Sequence, residues 1–166
     1  MPRGKGVSTL GGVTLPGDAA AKVSGLEPSQ PTHEWPVRVY YEDTDCGGVA
    51  YHTAYLRFME RARTEWLRQL GFEQRDFSET MDRLFVVRSI TINYHRPTTL
   101  DDLLTISSSA QPQGRTRVLF EQTAWRAGSP PQACAHARVE VVCVRTSDNR
   151  PCPFPERLQA EFTDVG

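Results

Sequence analysis

Lysine is almost missing from this chain: among 166 residues only Lys5 and Lys22 carry it, and the rest of the 19 basic residues are arginine. Nor is there an excess of either charge, since 20 acidic residues leave a formal net charge of -1. That balance excludes a general nucleic-acid binder, which needs a basic excess to neutralise phosphates. No apolar run approaches the roughly 20 residues of a membrane-spanning helix. No C-x-x-C pair joins Cys46, Cys134, Cys143 or Cys152, and His33, His52, His95 and His136 fall into neither H-E-x-x-H nor a finger spacing, so neither a zinc site nor a disulfide scaffold is expected. A G-x-x-x-x-G-K phosphate loop is also lacking, which argues against nucleotide hydrolysis.

Aromatic residues are absent from residues 1–34, where six of the 12 glycines lie together with Pro2, Pro16, Pro28 and Pro31. Such a segment buries too little apolar surface to offset its ordering entropy, so it reads as a disordered tail. Arg3 and Lys5 imitate a signal-peptide start, but Gly11, Gly12, Pro16, Gly17 and Asp18 break any apolar core behind them. Residues 35–166 then form one domain, long enough for a real core. Its exclusive use of arginine fits a GC-rich coding bias, and it also suits phosphate and pyrophosphate oxygens. The cysteine pattern predicts reduced thiols and hence a cytoplasmic protein, with the periphery of the inner membrane as a compatible site.

Residues 37–41 (VRVYY) read as a short strand feeding the polar loop Glu42 to Gly48. Beyond it, Tyr55, Phe58, Met59, Ala62, Trp66, Leu67 and Leu70 recur at a period near 3.6, which predicts the longest helix of the chain. Thr53 is a candidate cap for its start and Gly71 supplies a left-handed residue at its end. A second short helix is expected around residues 73–81. The period then changes to two: strands are expected over residues 84–94, with Val86, Ile90, Ile92 and Tyr94 on one face, and over 103–109, 115–125 and 133–144, with a short helix near 156–162. Short turn-rich joints imply antiparallel neighbours. The class is α+β, an antiparallel sheet with one long helix. Leu119 and Trp125 lie opposite Val118 and Phe120, so the helix leaves apolar residues uncovered and a homo-oligomer is expected.

The most unusual segment is Tyr40 to Tyr55, YYEDTDCGGVAYHTAY, which sets Glu42, Asp43, Asp45, Cys46, two glycines and His52 between a strand and a helix start. Unpaired amides and partial positive charge at that start suit a developing oxyanion. Its pattern Y-x-D-T-D-x-x-G-V-x-Y-H-x-x-Y, followed by Glu60-Arg61-Ala62-Arg63 and later Phe85-Val86-Val87-Arg88, resembles the hotdog-fold acyl-CoA thioesterases of the 4-hydroxybenzoyl-CoA thioesterase type. Within them it looks most like the Tol-Pal-associated, YbgC-like branch, and the resemblance runs from Val37 to about Phe162.

The resemblance implies a hotdog fold, hydrolysis of acyl-CoA without a cofactor or metal, and a dimer of dimers. It implies that Asp45, the aspartate of D-x-x-G-V, is the catalytic carboxylate and that a backbone amide at or near His52 polarises the thioester carbonyl. Asp45 fits either a general base toward water or a nucleophile forming a mixed anhydride. His52 and Tyr51 are candidates for orienting water or substrate, against plain packing. Gly48 and Val49 belong to the expected substrate loop, and Arg88, Arg96, Arg115 and Arg117 are candidate cations for CoA, with Arg88 and Arg115 favoured. Asp43 reads as a turn residue, Cys46 as no nucleophile, and Glu60 as a helix-face residue beside Arg63 and Thr64. Two rivals remain: a dehydratase, whose H-x-F-P-G motif is missing, and a non-catalytic module binding an acyl thioester or acyl carrier protein at the cell envelope.

Overall fold

The computed structural model describes residues 33–163, so the expected tail lies outside the described residues except for His33 and Glu34. Those two open the first strand, β1 (His33–Arg38). The chain continues through a 3-10 turn (Tyr41–Asp43), α1 (His52–Gln69), α2 (Gln74–Glu79), β2 (Leu84–Tyr94), β3 (Leu103–Pro112), β4 (Arg117–Arg126), β5 (Gln132–Val144) and α3 (Glu156–Thr163). The five strands make one antiparallel sheet in the order β1-β3-β4-β5-β2. This is the layout that the resemblance implies, one sheet packed against one long helix.

The helix α1 forms because its apolar residues share one side: Ala54, Tyr55, Phe58, Met59, Ala62, Trp66 and Leu67 are all buried. They pack on the sheet face formed by Leu104, Ile106, Val118, Phe120, Ala124, Ala135, Ala137 and Val139. The helix stops at Gly71, whose φ of 81° places it in the left-handed region. The amide of Gly71 donates to Arg68 (3.0 Å) and that of Phe72 to Leu67 (2.9 Å), a Schellman closure that only a residue free of Cβ strain completes cheaply.

Two expectations are corrected. The strand-like run at residues 37–41 ends early: β1 stops at Arg38, and Tyr41 to Asp43 curl into the 3-10 turn because the Asp43 side chain bonds back to the Tyr40 amide (3.0 Å). The residues expected on one face of β2 do not all share it. A bulge between Val87 and Ser89 resets the register, so Val86 opposes Val142 while Val87 opposes Val141 and Ile90 opposes Val139. Val87, Ile90, Ile92 and Tyr94 therefore face the helix side and Val86 the other.

Candidate active site

The Asp45 loop is a small hairpin hung between β1 and α1. Thr44 bridges Ala50, the Asp45 amide donates to Val49 (2.9 Å), and the Gly48 amide donates to Asp45 (3.0 Å). Gly48 sits at φ 75°, and a Cβ on Gly47 would come 3.0 Å from Asp45 Oδ1, so both glycines are needed for the turn. The outer arm is tied to the segment before β3: Val49 bridges Thr99, and the Ala50 amide donates to Thr98 (2.7 Å). The inner arm is tied to α1, since the wholly buried Asp43 accepts from Arg57 Nη2 (2.8 Å) and its carbonyl accepts from the Tyr51 amide (2.7 Å). Asp43 is thus the turn residue expected.

This frame presents Asp45 at the surface with Oδ1 held by the Gly47 amide at 2.7 Å. The other oxygen has no partner among the described residues and is open to water. Four residues past the glycines, α1 begins at His52 with Tyr51 in the cap position. Thr53, expected as the cap, lies inside the helix, and no side chain caps the start. The amides of His52 and Thr53 accordingly have no acceptor among the described residues, which leaves donors and partial positive charge at the helix end. Tyr94 Oη donates to the His52 carbonyl (2.8 Å), and the Tyr55 hydroxyl shares a hydrogen bond with Thr98 (2.9 Å). Burial raises the Tyr55 pKa against that bond, so Tyr55 is a fixed neutral strut. The rings of Tyr51 and His52 meet at 4.2 Å, both exposed.

Asp45, Gly48, Val49, Tyr51 and His52 are thereby brought to one corner, as the pattern implies. Arg88 and Arg115 are not. Arg88 sits at the β2 bulge, roughly 20 Å along the strand from Tyr94, and pairs with Glu140 (3.0 Å), which also holds Arg117. Arg115 lies in the β3–β4 turn, where its carbonyl accepts from the Phe154 amide. Within one chain neither touches the Asp45 corner. Cys46 is exposed beside Asp45, and all four cysteines are free thiols. Glu60 accepts from Thr64 (2.9 Å), whereas Arg63 turns inward. Sequence reasoning missed Tyr94, Thr98 and Thr99 as supports of this corner; their only signal is a tyrosine ending a strand and a Pro-Thr-Thr turn.

At the other end of α1 lies an apolar cavity of about 130 Å³, walled by Leu67, Phe85, Val87, Val118, Phe120 and Val141, and floored by Phe154, Leu158 and Phe162. Glu60, Arg63, Thr64 and Gln74 supply its polar edge. Arg63 Nη1 donates to Gln122 Oε1 (2.7 Å), and its guanidinium lies 5.9 Å from the Phe120 ring centre. Burial brings its pKa down to about 10, only partly countered by the nearby Glu60 charge.

Comparison with known proteins agrees with this layout. The sequence profile of the Thioesterase superfamily matches residues 47–131. The acyl-CoA thioesterase YbgC of Haemophilus influenzae is 43% identical over 128 residues, covering 77% of this chain and 92% of that protein. The acyl-CoA thioester hydrolase YbgC of Escherichia coli O157:H7 is also 43% identical, covering 77% and 93%. Among solved structures, a probable thioesterase from Bartonella henselae superposes with TM-score 0.69 at 34% identity, covering 74% of this chain and 98% of that one. A 1,4-dihydroxy-2-naphthoyl-CoA thioesterase from Synechocystis superposes with TM-score 0.75 at 22% identity, covering 80% and 96%, and bears on the fold alone.

Proposed function

The chain belongs to the thioesterase superfamily, and we propose that it is an acyl-CoA thioesterase in which Asp45 is the general base. What carries this reading is the open carboxylate of Asp45 beside the unpaired amides that begin α1. The amides at His52 and Thr53 hold the thioester carbonyl and stabilise the oxyanion as it forms. The free Asp45 oxygen takes a proton from water, and the hydroxide adds to the carbonyl carbon. Collapse of the adduct breaks the C–S bond, and the departing CoA thiolate recovers the proton, leaving the free acid. The Gly47 hydrogen bond keeps the carboxylate aimed, and Tyr94 fixes the first turn of the helix through the His52 carbonyl. His52 and Tyr51 form the exposed lip over which substrate passes.

The assembly proposed is a homo-oligomer built on β2. That strand is an edge, 11 residues long, with Arg88 its only charge. Ile90 is 42% exposed and Tyr94 46%, although both face the helix side. A long apolar edge of this kind demands a cover. Pairing with β2 of a second copy about a two-fold axis is antiparallel and keeps both helices on one face. It also sets the Tyr94–His52 corner of each copy beside the Phe85–Val87 end of the other. Pairing of such dimers into a tetramer, docking of an acyl carrier protein, and action in the cytoplasm belong to the same proposal; the free thiols suit that compartment.

Release of free thiol from a panel of acyl-CoAs tests the activity. Turnover of any of them by the oligomer is expected; no turnover of acyl-CoA by a folded oligomer would overturn it.

A further inference from the structure

We infer that the cavity at the far end of α1 receives the acyl group, and that Arg63 selects acyl groups carrying a hydrogen-bond-accepting oxygen at their far end. This rests on the thioesterase reading and on pairing through β2, because that pairing is what lays the reacting corner of one copy over the cavity of the other.

Three features of the cavity support the inference. It borders the edge strand, since Phe85 and Val87 of β2 line it. Its volume of about 130 Å³ is close to that of an apolar cavity holding one benzene, so an acyl tail of about six carbons fills it. Its polar edge is incomplete. Arg63 has one hydrogen bond, from Nη1 to Gln122, while Nε and Nη2 have no partner among the described residues. The side chain is only partly buried, so the idle donors face water, and no carboxylate among the described residues is bonded to it. Free donors on a partly buried guanidinium at the rim of an apolar cavity offer a ligand oxygen a charge-assisted hydrogen bond in exchange for water.

Gln122 has nothing left to give: its amide nitrogen donates to the Met59 carbonyl (3.0 Å) and to Ser108 (2.9 Å), and its oxygen takes Arg63. That network fixes the guanidinium against the sheet and over the Phe120 ring. Glu60, also at the edge, accepts from Thr64 on one oxygen. A hydroxyl fits both groups, accepting from Arg63 and donating to Glu60, whereas a carboxylate pairs with Arg63 against the Glu60 charge. Hydroxyl-ended acyl groups are therefore the first choice and carboxyl-ended ones the second, with methyl-ended ones last.

The test compares hexanoyl-CoA, 6-hydroxyhexanoyl-CoA and adipoyl-CoA, equal in chain length and different only at the end. In the wild type, kcat/KM for 6-hydroxyhexanoyl-CoA should exceed that for hexanoyl-CoA by about tenfold, carried mostly by KM, because a site built to bond an oxygen penalises its absence. In Arg63→Met that ratio should fall to near one, and Arg63→Lys should restore part of it. The ratio is read rather than either rate, so general damage to the fold, which lowers both, does not imitate the result. Adipoyl-CoA preferred over both would keep Arg63 as the selecting group and assign the oxygen to a carboxylate. Equal rates on all three substrates, or a ratio unmoved by Arg63→Met in a folded protein, would overturn the inference while leaving the hydrolase reading intact. Failure to cleave any of them, or any other acyl-CoA, would instead remove the hydrolase reading itself.

Discussion

Arg57 Nη2 reaches the wholly buried carboxylate of Asp43 at 2.8 Å, and this contact locks the 3-10 turn before the Asp45 loop onto the second turn of α1. The Asp43 carboxylate also accepts from the Tyr40 amide, so one buried group organises both the entry to the loop and the start of the helix. Asp45 and the His52 amide keep a fixed relation because the chain between them is pinned from both sides.

Replacing Asp43 by alanine leaves the Tyr40 amide without its acceptor and the Arg57 guanidinium with only the Glu42 carbonyl at 3.5 Å. A loss of about 2 kcal/mol is expected in urea unfolding. Arg57→Ala should cost at least as much, about 2–3 kcal/mol, because it strands the wholly buried Asp43 carboxylate without its cation. A negligible loss from Arg57→Ala would contradict this reading of the pair.

Gly71→Ala forces a side chain into the left-handed region, where an L-residue costs about 1–2 kcal/mol. The new Cβ would also meet Arg157 Nη2 at 3.4 Å, and Arg157 itself caps the Leu70 carbonyl (3.0 Å). Urea midpoints should fall accordingly, with the helical circular dichroism signal of the folded state retained. An unchanged midpoint would show that the Schellman closure is dispensable.

Charge placed on the β2 edge tests the assembly. Ile90→Arg puts a guanidinium at the middle of the exposed apolar strip, and sedimentation should then report a monomer where the wild type sediments as an oligomer. Activity should fall with it, as the proposed pairing of each reacting corner with the neighbouring copy requires. A wild type that sediments as a monomer would refute pairing through β2.

Stability should decline as pH falls below about 6.5. Burial lowers the pKa of His33, His95 and His136 in the folded chain, so each stays neutral where the unfolded chain has begun to take a proton. The unfolded state then binds more protons, and their contribution, full above the unfolded pKa, shrinks as pH drops toward the folded values. Carboxylates held below their usual range, Asp82, Glu140 and Asp148, lose their contribution only in stronger acid, below about 4. His33 lies stacked at 5.7 Å on Trp66 with Nε2 unpaired among the described residues, so His33→Phe should flatten the melting profile between pH 7.5 and 5.5. A profile equally steep in that variant would remove His33 from the explanation.

Much of this was legible in the chain because the signals were local. The apolar spacing of Tyr55 to Leu67 needs only a helix to explain it, and Gly71 marks its end without reference to anything distant. The loop around Asp45 is equally local, a glycine pair between a strand and a helix. The β2 bulge was not legible: Val86 and Val87 are both apolar and both exposed, so period-two alternation carries no mark of where the register resets. The early end of β1 turns on Asp43 bonding back to the Tyr40 amide, and the buried carboxylate that does so is held by Arg57, 14 residues away. The cavity is the most distant case of all. Its floor, Phe154, Leu158 and Phe162, reaches α1 and β2 only through tertiary packing, so no window of sequence contains it.

The most direct measurement is kcat/KM on the best acyl-CoA for wild type beside Asp45→Asn, with thermal melts of both. Asparagine keeps an oxygen to accept from the Gly47 amide, so the loop and the melting temperature should be preserved while the base is lost. A fall of at least about 100-fold at unchanged melting temperature is the expected result. Activity within a few-fold of wild type would contradict the central claim that the Asp45 carboxylate carries the chemistry.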